Sequence, residues 1–153
     1  MEKISFFLEL GRNKIFIVTF LTWVIAQCAK VLIGVAVEKR FNFKWLVGTG
    51  GMPSSHCAGA AAFATSLGLE FGFDSALFAI GLVFAIVTMF DAQGARRAIG
   101  TQASILNKII EDIYFKKPIK EDRLIELVGH TPIQVLAGAL LGIILGYFLY
   151  TCI

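Results

Sequence analysis

Charge is scarce in this chain. Eleven acidic and fourteen basic residues make up 16% of its 153 positions, well under the quarter or so usual in soluble domains. With 57% hydrophobic residues and a mean hydropathy of +0.76, that scarcity excludes an ordinary water-soluble fold. Proline occurs three times, so long runs are free of helix breakers. Cysteine also occurs three times, as Cys28, Cys57 and Cys152, in apolar stretches and with neither paired nor metal-ligand spacing. This pattern argues for buried packing residues and against a disulfide framework. The net charge of +3 is modest and its basic residues flank apolar runs, so no nucleic-acid partner is expected. Histidine is the scarcest polar residue, present only as His56 and His130.

What is abundant is apolar sequence in membrane-length runs. A span needs about 20 mostly apolar residues to cross the hydrocarbon core. Four stretches qualify or come close: Ile15 to Val37, Pro53 to Leu69, Ser75 to Phe90 and Thr131 to Cys152. The second and third are short, which calls for flanking residues or neighbouring helices to cover their ends. Ahead of them, Met1 to Lys14 is charged and mildly amphipathic. No small-residue cleavage site follows, so it reads as a retained segment rather than a signal peptide. Between the last two stretches, Ile99, Ile105, Leu106, Ile109, Ile110 and Ile113 recur at helical spacing among polar residues, the pattern of an amphipathic surface helix from Ala95 to Tyr114. Lys117-Pro118 ends it, and Lys120 to Leu127 can form a further short turn of helix. The expected architecture is an all-α integral membrane bundle of about four transmembrane helices, with the amphipathic helix between the third and fourth. It is one domain over residues 1–153.

Basic residues set the orientation. With four spans, the first and third connections share a side and hold ten Lys and Arg, against three on the other side. The positive-inside tendency makes the ten-residue side cytoplasmic in a multi-pass cell-membrane protein. Alternation also brings the start of the second span, the end of the third and the start of the fourth to one face. His56, Asp91 with Arg96 and Arg97, and His130 therefore meet at one surface.

The histidines sit in GGMPSSH (Gly50 to His56) and VGHTPIQVLAG (Val128 to Gly138), each where an apolar helix begins. A helix start offers unpaired N–H groups and a positive dipole end to an anion. Imidazole moves protons or accepts a phosphoryl group near neutral pH. In the first string, Gly51 permits an unusual backbone, the proline suits a first helical turn, and Ser54 and Ser55 add hydroxyl donors for phosphate oxygens. The plainer reading is a capped span start with an interfacial His56.

These strings resemble the signatures of the type 2 phosphatidic acid phosphatase superfamily. PSSH is similar to its PSGH motif, GHTPIQVLAGALLG to its closing histidine motif, and the whole chain, including MFDAQGARRAIG, resembles a divergent membrane branch related to acid phosphatases and vanadium-dependent haloperoxidases, over roughly residues 12–150. The resemblance implies that His130 is the nucleophile taking the phosphoryl group and His56 the general acid protonating the leaving oxygen, with neither metal nor cofactor. It also implies an acidic residue four places after the nucleophile, where this chain has Gln134. An amide can orient an imidazole but cannot offset its positive charge, and Asp91 is the candidate substitute carboxylate. The superfamily's arginine six places before that histidine is Leu124 here, with Arg123 adjacent, and its first lysine and Arg-Pro motif has no match.

Three further features have competing readings. Arg96 and Arg97 can form an anion clamp, because arginine presents a fixed fork of donors, or can anchor the chain to lipid headgroups. Lys30 lies inside the first span, where a charge is costly unless it pairs, faces water or snorkels, and Glu38 can hold it. Gly138, Gly142 and Gly146 make a GxxxG repeat and the second stretch is rich in alanine, so the two histidine-bearing helices can pack closely, or a homodimer can form through these faces. The expected function is hydrolysis of a phosphate monoester on an anionic phospholipid or prenyl phosphate, with phosphatidylglycerophosphate first and phosphatidic acid and prenyl diphosphates behind it. The alternative is a non-catalytic lipid-phosphate binding or transport protein that keeps the anion pocket.

Overall fold

The computed structural model describes residues 2–39, 51–113 and 130–153. Among them the chain is all helical: α1 (Glu2–Leu10), α2 (Lys14–Glu38), α3 (Ser55–Phe71), α4 (Ala76–Gln93), α5 (Ala95–Ile113) and α6 (Pro132–Cys152). The expected short turn at Lys120 to Leu127 lies outside the described residues.

Four of the helices, α2, α3, α4 and α6, start on a residue suited to the task. Asn13, Ser54, Ser75 and Thr131 have extended backbones, and each side chain accepts an N–H of the first turn. Thr131 goes further: its hydroxyl takes the Gln134 N–H while the Gln134 side chain reaches back to the Thr131 N–H, a reciprocal capping box with Pro132 in the first turn.

Among the described residues, three helical runs are long and apolar enough to cross a membrane: Lys14–Glu38, Ala76–Ile110, which takes in α4 and most of α5, and Pro132–Cys152. The fourth, α3, has 17 residues, at the short limit for a span of about 17–25. It forms the centre of the bundle, packed against α2, α4 and α6. Its sequence explains that place, because Cys57, Ala58, Gly59, Ala60, Ala61 and Ala62 are all buried and all small. Large apolar side chains instead face outward, with Leu32 69% exposed and Ile144 64%, while Thr22, Lys30, Ser54, Ser66 and His130 are buried. Polar groups inside and bulky hydrocarbon outside is the inverse of a soluble domain, and it suits lipid as solvent. The same inversion corrects the expectation that all the cysteines are buried. Cys57 is buried in α3, but Cys28 and Cys152 are exposed on outward faces, where lipid accommodates a thiol as readily as a core does.

The α3–α6 seam fixes the relation between the helices that follow the histidines. Gly138, Gly142 and Gly146 are buried against Ser54, Ala58 and Ala62, one small residue per turn on each side. A Cβ at Gly142 would run into the Ala58 carbonyl oxygen and lie 2.8 Å from Ala58 Cα. Backbones this close gain dispersion contacts where lipid supplies no hydrophobic drive. The glycine repeat is thus used within the chain. At the end of the bundle away from the histidines, Lys14 Nζ stands 4.2 Å over the Tyr150 ring, and the Tyr150 hydroxyl donates to Glu70.

Candidate functional site

Two helix beginnings and one helix end converge on the histidines. His56 is the second residue of α3, and His130 directly precedes the Thr131 cap of α6. The Ser54 N–H donates to the Gln134 carbonyl at 3.2 Å, tying the two starts together. The His130 N–H donates to the Ala92 carbonyl at 3.0 Å, tying α6 to the last turns of α4. Cys57, Ala92 and Val135 form the apolar cluster beneath these bonds.

The ring centroids of His56 and His130 are 6.4 Å apart with planes inclined at 53°. That separation lets one tetrahedral anion touch both rings. His130 is buried and His56 exposed, so one ring is packed within the bundle and the other stands at its surface. Gln134 Oε1 lies 3.3 Å from His130 Nδ1 and also accepts the Thr131 N–H at 3.0 Å. Because that atom serves an N–H donor, it is the carbonyl end of the amide that faces the ring. In the neutral imidazole Nδ1 is then the donor, and the lone pair sits on Nε2.

The serines are engaged within the protein. Ser54 is fully buried as the cap of α3, its Oγ 3.4 Å from the Cys57 N–H. The Ser55 hydroxyl donates to Gln27 Oε1 at 2.7 Å. Lys30 turns inward rather than snorkelling to the lipid: it is 6% exposed and caps a buried stripe of Val18, Thr22 and Ala26 on α2. Its stem lies beneath Gly51, where a Cβ would stand 3.0 Å from Lys30 Cγ. Gly51 has φ +85°, a left-handed conformation open to glycine, so backbone and contact both demand that residue. Asp91 is exposed on the last turn of α4, next in sequence to Ala92. Arg96 and Arg97 fall in the first turn of α5, and their side chains lie outside the described residues.

His56, His130, Gln134, Ser54, Ser55, Gly51 and Lys30 are thus gathered at one end of the bundle. Gln27 was not among the residues singled out for the site. Its signal was present in the sequence: an amide one turn before Lys30, inside an otherwise apolar span, needs a polar partner.

This assembly defines a class: an all-helical membrane protein whose two histidines share one end of a small-residue bundle. The chain belongs to the Divergent PAP2 family, which matches residues 11–145. It is 43% identical to the uncharacterized membrane protein YuiD of Bacillus subtilis (strain 168), over 80% of this chain and 84% of that protein. No solved structure matches it.

Proposed function

We propose that this chain is a metal-independent phosphatase for lipid phosphates, acting at the cytoplasmic face of the cell membrane. The observation that carries the reading is the histidine pair, 6.4 Å apart, with His130 Nδ1 facing the Gln134 amide oxygen. His130 Nε2 donates its lone pair to phosphorus, the P–O bond to the lipid alcohol breaks, and His56 gives its proton to the departing oxygen. Water, deprotonated by His56, then attacks the phosphohistidine. Inorganic phosphate leaves, and both imidazoles return to their starting states.

In this reading the remaining residues bind and balance charge. Lys30 contributes positive charge from below, Arg96 and Arg97 clamp phosphate oxygens, and Asp91 supplies a carboxylate at the mouth to offset the protonated imidazole. Ser54, Ser55 and Gly51 shape the turn that leads into α3 and His56. A phosphate monoester made on the cytoplasmic side fits, phosphatidylglycerophosphate first, then phosphatidic acid and prenyl phosphates.

One observation favours a second reading. An amide, not a carboxylate, faces His130 Nδ1, and a chain that bound or moved lipid phosphates without turnover would tolerate that exchange. Phosphate release from anionic lipids by the purified protein, with His56→Ala and His130→Ala in parallel, separates the two. Hydrolysis that falls at least a hundredfold in both variants supports the enzyme. No release above background in wild type, with lipid retention intact, supports the binding protein.

A further inference from the structure

Helices α4 and α6 meet at the histidine end, where Ala92 and Val135 pack together, and are held apart farther along by α3. The gap is a groove of about 770 Å³, walled by Leu82, Ile86 and Met89 of α4 and by Ile143 and Tyr147 of α6, with Ala61 and Ala64 of α3 as its floor. Its α6 wall runs from Ala139 to Phe148, a length of about 13 Å at the helical rise per residue. Phe73 and Phe78, edge to face at 5.0 Å, line its far end. Thr65 in the floor turns its hydroxyl back onto the Ala61 carbonyl at 2.9 Å, so its proton is spent within α3.

Size and position select the occupant. The groove opens on the lipid side of the bundle, where Leu82, Ile86 and Ile143 are exposed, and a helix docked there would have to be a further membrane span. A flexible hydrocarbon chain needs less width and no hydrogen bonds. The groove also has a direction, because Met89 at its head packs on the Cys57, Ala92 and Val135 cluster, whose Ala92 carbonyl holds His130. A molecule whose phosphate sits between the histidines therefore has an apolar slot beginning about one helical turn below.

We infer that this groove holds the hydrocarbon chain of the phosphate ester bound at the histidine pair, so that the site selects long-chain over soluble phosphates. The inference rests on the histidine face binding phosphate, as proposed above, but not on turnover there.

The test uses the full chain in phosphatidylcholine vesicles and hexadecyl phosphate carrying a mid-chain diazirine, with the matching hexadecyl alcohol as control. Photolabelling read by mass spectrometry is expected to concentrate the phosphate probe on Ile86 and Ile143, at least fivefold over outward-facing Leu32 and Ile33, while the alcohol labels all four evenly. Ala139→Phe, which fills the groove, should cut that labelling at least fivefold, whereas Ile33→Phe on the outward face of α2 should leave it unchanged. Even labelling by both probes would mean bulk lipid fills the groove and would overturn the inference. Covalent dimers from Ile143→Cys, in a background with Cys28 and Cys152 replaced by serine, would put a second copy there and overturn it too. Groove labelling without phosphate release would sink the phosphatase reading alone, whereas release with even labelling would sink the groove alone.

Discussion

The amide oxygen of Gln134 lies 3.3 Å from His130 Nδ1, at the position where the resemblance to the phosphatase superfamily implies a carboxylate. One oxygen thus does structural duty in a capping box and orients the ring. An uncharged acceptor holds the ring in register but gains less when His130 becomes positive on phosphorylation. Gln134→Glu keeps the cap geometry, since glutamate is equally suited to that place in a capping box, and supplies the charge. A charge-assisted bond exceeds a neutral one by about 1 kcal/mol, so turnover is expected to rise about fivefold to tenfold. The added carboxylate favours the protonated imidazole, so the acid limb of the pH–rate profile should move to higher pH. A rate that stays level or falls, with the acid limb unmoved, counts against His130 as nucleophile.

Gly142→Val tests the α3–α6 seam. The new side chain meets Ala58 backbone and Ala61 Cβ, neither of which can swing aside as a flexible side chain would. Overpacking of this kind costs about 1–3 kcal/mol or more. Thermal unfolding in detergent should show a Tm several degrees lower, whereas Ile144→Val on the outward face should leave it nearly unchanged.

Gln27→Leu removes the acceptor of the Ser55 hydroxyl and leaves that buried group unsatisfied, at a cost of about 1–3 kcal/mol. Adding Ser55→Ala removes the orphaned donor. The double variant should therefore be more stable than the sum of the single losses implies, a positive coupling read from a double-mutant cycle. Strict additivity would mean the contact contributes nothing.

Gly51→Ala combines strain at φ +85° with a contact on the Lys30 stem. Phosphate affinity should weaken in Gly51→Ala, and in Lys30→Met, which keeps the stem but removes the charge. Isothermal titration with a lipid phosphate checks both, and an unaltered Kd in Lys30→Met would remove that residue from the site.

Much of the fold was legible because its signals are local. The expected stretch Ile15 to Val37 became Lys14–Glu38, and Ala95 to Tyr114 became Ala95–Ile113, since caps and helical periodicity act over a few residues. Convergence of the histidines followed from alternation alone. Which helix sits at the centre was less legible: α3 is the shortest of the bundle helices, and only its contacts show that small residues face every neighbour. Bonds such as Ser55 to Gln27, 28 positions apart, depend on helix rotation, which hydropathy does not encode. The engagement of Ser54 and Ser55 within the protein was hidden for the same reason, because a hydroxyl near a helix start serves a cap or a ligand with one pattern.

The most direct test of the account is to trap the phosphorylated protein. Wild type quenched during turnover of radiolabelled phosphatidic acid should carry an acid-labile, base-stable phosphoryl group that mass spectrometry places on His130, absent from His130→Ala and blocked by vanadate. Sustained phosphate release with no label on His130, and undiminished in His130→Ala, would contradict the account.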